Sequence, residues 1–574
     1  MATKLPKVPV VIVGMGWVGG IIAAELAKQG TKVVGLERGK SRTTTDYYMV
    51  HDELRYAQRY DLMQDLSKET VTFRNTEKLT AVPMRTYGSF LLGEGLGGSG
   101  IHWNGQSFRF LPYDFEIYSK TVERYGKNKI PAGMTIQDWG ITYDQLEPYF
   151  LKYENMAGIS GDSDENPTIG KRSAPFPTPA MIKTPILKMF EDASKKLGLH
   201  PYMGPSANLS QQYTNPDGIT RAACQYCAFC ERFGCEYGAK ADPVVTVLPV
   251  AEKTGNYELR TFSNVIQVLN DGKKATGVLY VNTVTGEQFE QPADIVVMAS
   301  YVFNNVKLLL LSKLGKPYDP ATGNGVIGRN YAYQVQGGSA TGFFDDKEFN
   351  LYAGAGALGM EVDDFNGDNF DHGPLNFIHG AGIRVYQAGQ RPIANNSVPA
   401  GTPGWGAEFK KKSIFYANRT ITVSPQGSNM PWRHHYIDLD PTYKDIYGLP
   451  LPRVTFDFED QDREMVKFLA TKSTAIMKEM APTNMGSSDQ LKPYNIVPYQ
   501  STHNTGGVVM GADPGTSAVN NYLQMWDAEN VFVVGASAFA HNSGYNPTAT
   551  VGALAYRAAE GVINYIKKGG GSLV

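Results

Sequence analysis

VVIVGMGWVGGIIAAELAKQGTKVVGLE, residues 10–37, is the stretch whose reading decides the fold. The apolar run Val10, Val11, Ile12, Val13 predicts a parallel strand buried on both faces. It breaks into Gly14-Met15-Gly16-Trp17-Val18-Gly19, passes into a helical pattern through Leu26, and returns as a second apolar strand, Val33, Val34, Leu36, ending at Glu37. Gly14 permits the tight turn, Gly16 lets backbone approach a pyrophosphate, and Gly19 allows the helix to pack close to the strand. The helix N-terminus offers free N–H groups and the positive end of its dipole to phosphates. Glu37 closes the second strand where a carboxylate can accept from ribose hydroxyls. A glycine motif alone is weak evidence. Strand, turn, helix, strand and acid in that order predict a dinucleotide site.

Lys4 and Lys7 followed by the uncharged run Val8–Ala24 imitate a signal peptide or a membrane span. The run holds four glycines, lacks a small-residue cleavage site, and leads straight into the Glu37 strand. The expectation is therefore no signal peptide and no transmembrane segment of the chain's own.

Outward from this stretch, 574 residues predict two intertwined domains. With 54 basic and 56 acidic residues and no basic cluster, nucleic acid is not expected as a partner. The 33 tyrosines and 61 glycines suit an enzyme with a loop-rich, aromatic-lined pocket of the kind that takes carbohydrate. A second glycine-rich segment, Gly95-Leu96-Gly97-Gly98-Ser99-Gly100-Ile101-His102-Trp103-Asn104, can lay backbone against a flat or anionic group. Residues 44–80, rich in tyrosine and partly helical in pattern, read as a lid or interface insertion. Leu146, Tyr149, Phe150 and Tyr153 fall at helical spacing. Short strands are predicted at 257–260, 265–269 and 276–281. Buried strands are predicted at 295–299 and 531–534, and a small-residue helix at 548–566.

All four cysteines lie in Cys224-x2-Cys227-x2-Cys230-x4-Cys235. Spacings this short let one loop wrap an iron–sulfur cluster. Zinc usually takes two knuckles separated by a longer spacer, and disulfides within such tight loops would be strained. An iron–sulfur cluster is thus favoured over zinc, and zinc over disulfides.

The N-terminal fingerprint, the GLGGSG loop, the ADIVVMAS strand ending at Ala299 and Ser300, and the C-terminal set STHNTGG, VFVVGAS and Asn546-Pro547-Thr548 together resemble the glucose-methanol-choline (GMC) family of FAD oxidoreductases. Within it, the cysteine run, HDELRYAQRYDLMQ and HWNG resemble the flavoprotein large subunits of bacterial gluconate, fructose and glucose dehydrogenases. The resemblance implies an α/β fold with a Rossmann-like FAD-binding domain assembled from residues 1–45, 80–130, 225–330 and 500–574, the cysteine loop 224–235 at its edge. Residues 131–223 and 331–499 would form an interleaved α+β substrate domain and its connections, and 46–79 the insertion.

It also implies FAD held by Gly14, Gly16, Gly19, Glu37, Gly97, Gly98, Ser99, His102, Asn104 and Ala299. His102 resembles a flavin-linking histidine, which leaves open whether FAD is covalently bound there. His503 stands at the family's active-site histidine, and a histidine suits removal of a hydroxyl proton during hydride loss. Asn546, 43 residues later, stands at the second active-site position. Asparagine cannot take the proton, so it is expected to hold the substrate hydroxyl. His541 is within reach of the same pocket as a supporting residue. His434 and His435, adjacent, are expected to point apart on a strand and make a poor chelating pair.

The expected function is oxidation of a secondary alcohol of a sugar or sugar acid, gluconate C2 foremost, by hydride transfer to FAD. Electrons would pass through a [3Fe–4S] or [4Fe–4S] cluster on Cys224, Cys227, Cys230 and Cys235 to a cytochrome c or quinone-type acceptor. A glucoside 3-dehydrogenase or other sugar dehydrogenase is the alternative, and a non-redox lyase retaining FAD is the rival from another class. A small partner subunit bearing an export signal would place the chain in the bacterial periplasm; a cytoplasmic enzyme is the other reading.

Overall fold

The structure is a computed structural model and describes residues 2–47, 59–350, 352–388 and 397–574. Val8–Val13 is an interior strand of an eight-stranded sheet, parallel to Gln288–Met298 on one side and to Val33–Leu36 on the other. Tyr257–Arg260 extends the parallel set beyond Val33–Leu36. Val10, Val11 and Ile12 are wholly buried because both faces are covered, and each such side chain contributes roughly 1.5–3 kcal/mol relative to exposure. Trp17–Lys28 follows with ten of its twelve residues buried, which explains its lack of a polar face.

The strand expected at 295–299 is longer, Gln288–Met298, and changes partners along its length. Its apolar C-terminal half runs parallel to Val8–Val13 and to Val531–Val533. Its polar N-terminal half pairs antiparallel with Ala275–Asn282, which pairs with Ser263–Asn270. That half is only partly buried, so no apolar run marks it in the sequence.

A second sheet of seven strands runs in the order Asn484–Ser487, Ala340–Phe343, Thr420–Gly427, Ala381–Tyr386, Gly359–Val362, Pro201–Met203, with Val335–Gln336 also on Thr420–Gly427. Asp460–Glu479 packs on it through Met465, Val466, Leu469, Ile476 and Met477. Register sets Gly382 opposite Gln426 and Glu361 opposite Arg384. Side chains alternate faces along a strand, so Glu361, Arg384 and Gln426 share one face.

Of the segment 46–79, expected as a lid or interface insertion, residues 48–58 lie outside the described residues. Within it Thr72–Arg74 is an inner strand of a four-stranded sheet, parallel to Pro450–Thr455 and antiparallel to Val82–Pro83, with Phe73 buried. No helix among the described residues is long and apolar enough to cross a membrane.

Candidate active site

One cavity of about 430 Å³ runs from the N-terminal glycine turn to His503. At its first end the two glycine-rich loops face each other. The Gly97 N–H donates to Met15 O at 2.9 Å, and a Cβ on Gly98 would lie 3.5 Å from Gly16 Cα. Gly14 has φ +92°, and a Cβ there would meet Ala299 O at 2.8 Å; a Cβ on Gly19 would stand 2.0 Å from Gly14 O. The turn can be built only with glycine at these two positions. Gly14, Gly16, Glu37, Gly98, Ser99, His102, Asn104 and Ala299 line the cavity. Gly19 and Gly97 are not among its lining; they shape the turns behind it. The Glu37 carboxylate accepts from the N–H groups of Met15 and Gly39, at 3.1 and 3.0 Å. Burial raises its pKa, and those two bonds oppose the shift. Trp17–Lys28, Val302–Ser312 and Thr548–Lys568 all bring N-terminal residues to the cavity, where helix dipoles favour negative charge.

At the other end His503 is fixed from both ring nitrogens. Its Nδ1 hydrogen-bonds Gln334 Oε1. The Gln334 amide cannot reverse, because its Nε2 donates to Ser543 O at 3.1 Å and Tyr545 O at 3.0 Å. Nδ1 therefore carries the proton and Nε2 presents a lone pair. Nε2 faces Asn546 Nδ2 at 3.2 Å. Asn546 is oriented in turn, its Oδ1 accepting from Arg384 Nη1 at 3.0 Å and Gln426 Nε2 at 3.1 Å. Burial, then the Arg384 charge, holds the His503 pKa down to about 3, so the ring is neutral across the ordinary working range. Asn542 Nδ2 donates to His503 O at 2.7 Å and fixes its backbone.

His102 lines the cavity with Nε2 buried and without a hydrogen-bond partner. Burial, then Lys240, lowers its pKa to about 3. A neutral imidazole aimed at the cavity fits a contact, or a bond, to a flavin ring.

Lys240 joins this loop to the cysteines. Its ammonium, fully buried, donates to Ile101 O and Trp103 O at 3.0 and 2.6 Å, and to Cys230 O and Phe233 O at 3.0 and 2.8 Å. The four cysteines are unpaired. N–H groups approach three of the sulfurs: Tyr226 N to Cys224 at 3.4 Å, Lys240 N to Cys235 at 3.5 Å, Asn208 Nδ2 to Cys230 at 3.6 Å. Burial raises all four thiols, Cys224 to about 12, with further raising from neighbouring cysteines. Tyr226, Ala228 and Arg232 hold positive φ within this loop, at a cost of order 1–3 kcal/mol each.

His541 does not reach the cavity. Its Nε2 donates to Asp114 Oδ1 at 2.9 Å, beside His379 Nε2 at 2.7 Å, and its Nδ1 accepts from Trp139 Nε1 at 3.3 Å. The two histidines, with His379 first, hold the Asp114 carboxyl far below its usual range against the opposing effect of burial. Ser543 Oγ also donates to Asp114, so this cluster secures the loop that carries Asn546. His434 lies in a turn and His435 just before the strand that begins at Tyr436. The two do not point apart as expected, since both rings approach Glu459 Oε1, at 2.7 and 3.2 Å, near enough together to hold an ion. Sequence reasoning missed Gln334, Arg384 and Gln426. The sequence offers only a faint signal, polar residues among apolar neighbours in YAYQVQ and AGIRVY, with nothing that pairs them to His503 or Asn546.

Residues 433–555 match the family model described as GMC oxidoreductase. Over its whole length the chain is 43% identical to the gluconate 2-dehydrogenase flavoprotein of Pantoea cypripedii, covering 96% of that protein. It is 27% identical to the fructose dehydrogenase large subunit of Gluconobacter japonicus, with 99% of this chain and all of that one aligned. Among solved structures, pyridoxine 4-oxidase from Mesorbium loti superposes with a TM-score of 0.63 at 16% identity, over 97% of this chain and 99% of that one. The chain belongs to the GMC oxidoreductase family. It is a FAD-dependent dehydrogenase acting on CH–OH groups, and the glycine cradle fits the dinucleotide.

Proposed function

We propose that this chain oxidises the C2 hydroxyl of gluconate or a closely related sugar acid. The observation that carries the reading is the His503 tautomer, locked by Gln334 so that Nε2 presents its lone pair beside Asn546 Nδ2 at the cavity. Bound FAD supplies the hydride acceptor. The protein's own part begins with Asn546 Nδ2, which hydrogen-bonds the substrate hydroxyl beside His503 Nε2. His503 Nε2 then takes the hydroxyl proton as the C–H bond is broken, and burial excludes water from the pair. The 43% relative, named for gluconate, supports the substrate. A sugar or glucoside dehydrogenase is the second reading, since the fructose enzyme also aligns end to end. A lyase would also need a base for the carbinol proton, but it would not pass electrons to the flavin, so flavin bleaching by substrate separates the two.

The proposal includes an iron–sulfur cluster on Cys224, Cys227, Cys230 and Cys235 that relays electrons to a cytochrome c or quinone-type acceptor. Their spacing, the N–H groups on three sulfurs and the Lys240 link to the His102 loop support it. Among the described residues, neither group of side chains close enough to chelate a single ion contains a cysteine, whereas tetrahedral zinc would need sulfurs only ~4 Å apart. A covalent bond from His102 to the flavin, a small partner subunit with an export signal, and a periplasmic location complete the reading.

Mixing the purified holoprotein anaerobically with sugar acids, sugars and glycosides tests it. Gluconate should bleach the flavin band fastest. Bleaching by a glycoside but not by gluconate would favour the second reading, and no bleaching by any of them would refute the first and second alike.

A further inference from the structure

The substrate end of the cavity carries a guanidinium beside the catalytic pair. Arg384 lies there, 7% exposed, on the Ala381–Tyr386 strand, among Gln336, Gln426, Asn546 and His503. Its hydrogen bonds to amides are Nη1 to Gln106 Oε1 at 3.1 Å and Asn546 Oδ1 at 3.0 Å, and Nη2 to Gln426 Oε1, and its Cζ lies 5.1 Å from the centre of the Tyr386 ring. The nearest carboxylate, Glu361, stands opposite it across the strands at 3.9 Å, beyond hydrogen-bond reach. Both Glu361 oxygens are buried without partners. Burial and the nearby Asp363 raise its pKa well above the ordinary carboxylate value, against the opposing pull of Arg384. A buried guanidinium with no carboxylate in hydrogen-bond reach is costly to keep, and it suits an anion brought in by a ligand.

We propose that Arg384 is the specificity-determining residue that receives the substrate's carboxylate, and that it thereby selects 2-hydroxy acids over neutral sugars. Arg384 touches Asn546, and Asn546 touches His503 Nε2. An anion held there must sit beside the carbinol that reacts. In a 2-hydroxy acid the carboxylate is bonded directly to that carbinol carbon. In a substrate oxidised further along its chain, the two groups would be too far apart to use both contacts. The inference rests on the sugar-acid reading and adds to it both the recognition element and the position of attack.

The test compares flavin reduction in anaerobic stopped-flow by gluconate and by its neutral isostere gluconamide. Wild-type holoenzyme should favour the acid in kcat/KM by about 10- to 100-fold, the range of one charge-assisted contact. In Arg384→Gln that ratio should fall toward one, mostly through KM for the acid, and Arg384→Lys should recover part of it. Equal rates for acid and amide in the wild type, or an unchanged ratio in the variant, would overturn the proposal while leaving a sugar dehydrogenase standing. The wild-type comparison needs no variant to fold. Failure of every sugar acid, amide and neutral sugar to bleach the flavin would sink the underlying reading as well.

Discussion

Replacing Gln334 by leucine tests the base assignment without touching the base. Gln334 Oε1 is the partner that keeps the proton on His503 Nδ1, and leucine keeps the side chain's bulk while removing that acceptor. The Nδ1–H would then be buried and unpaired, at a cost of ~1–3 kcal/mol. The imidazole can escape this cost by moving its proton to Nε2, which is the atom that must accept. A preference of that size leaves the competent tautomer a minority and should slow flavin reduction about 10- to 100-fold. His503→Ala should cost more, ~10²–10⁴-fold. Because Gln334 acts through His503, the double variant should be no slower than His503→Ala. The assay is anaerobic single-turnover reduction by substrate, with the flavin spectrum confirming that FAD is retained. A Gln334→Leu rate within about twofold of wild type, or additive losses in the double variant, would refute the reasoning.

Three other outcomes follow from the same geometry. Gly19→Ala places a Cβ 2.0 Å from Gly14 O and 3.3 Å from Ile12 Cγ2; backbone cannot yield this far, so the variant should lose FAD and more than ~3 kcal/mol of stability, read as the flavin-to-protein absorbance ratio and a melting curve. Acid precipitation should leave the flavin in the wild-type pellet and release it from His102→Ala; yellow wild-type supernatant would mean that no bond is made. Asp462 is buried with Oδ1 unpartnered, and burial raises its pKa to about 7. Its folded value lies above the ordinary one, so the folded chain keeps a proton that the unfolded chain releases. The resulting destabilisation grows as pH rises from ~4 and is complete above ~7. Asp462→Asn can still accept from Glu459 N and Asn429, so it should raise Tm at pH ~8 and leave it little changed at pH ~5; equal shifts at both pH values would contradict this.

Much of the nucleotide domain was legible because its code is local. A run buried on both faces, followed by glycines at required positions, specifies Val8–Val13 and the turn after it without outside information. The catalytic pair was legible only by resemblance, since nothing within residues 501–507 or 546–548 separates a base from a core histidine. Gln334 and Arg384 were illegible for another reason. Their roles depend on strand register across the second sheet and on loops more than 150 residues away, and a single chain read in order does not display that pairing. His541 lies off the cavity and acts only in support: the 541–546 loop turns its first residue toward Asp114 and its last toward His503, a division that spacing alone does not display. The 288–298 strand was half-seen because only its parallel half is buried.

A histidine with its pKa near 3 is a poor base, and the structure contains the means of correcting this. Burial is the larger cause of the depression and the Arg384 guanidinium the second. Burial is permanent, but the guanidinium's influence can be cancelled by an anion. If a carboxylate settles on Arg384, the positive potential at Nε2 falls and His503 becomes more basic in the complex than in the free protein. A neutral sugar in the same cavity would leave the ring as it was. Recognition and activation would then be one event, because the charge that identifies the substrate also prepares the group that deprotonates it. The consequence is a split in pH dependence: the acid limb for gluconate should lie higher on the pH scale than the limb for gluconamide, since only the former raises the His503 pKa. Coincident limbs would separate binding from activation and leave Arg384 with the first role alone.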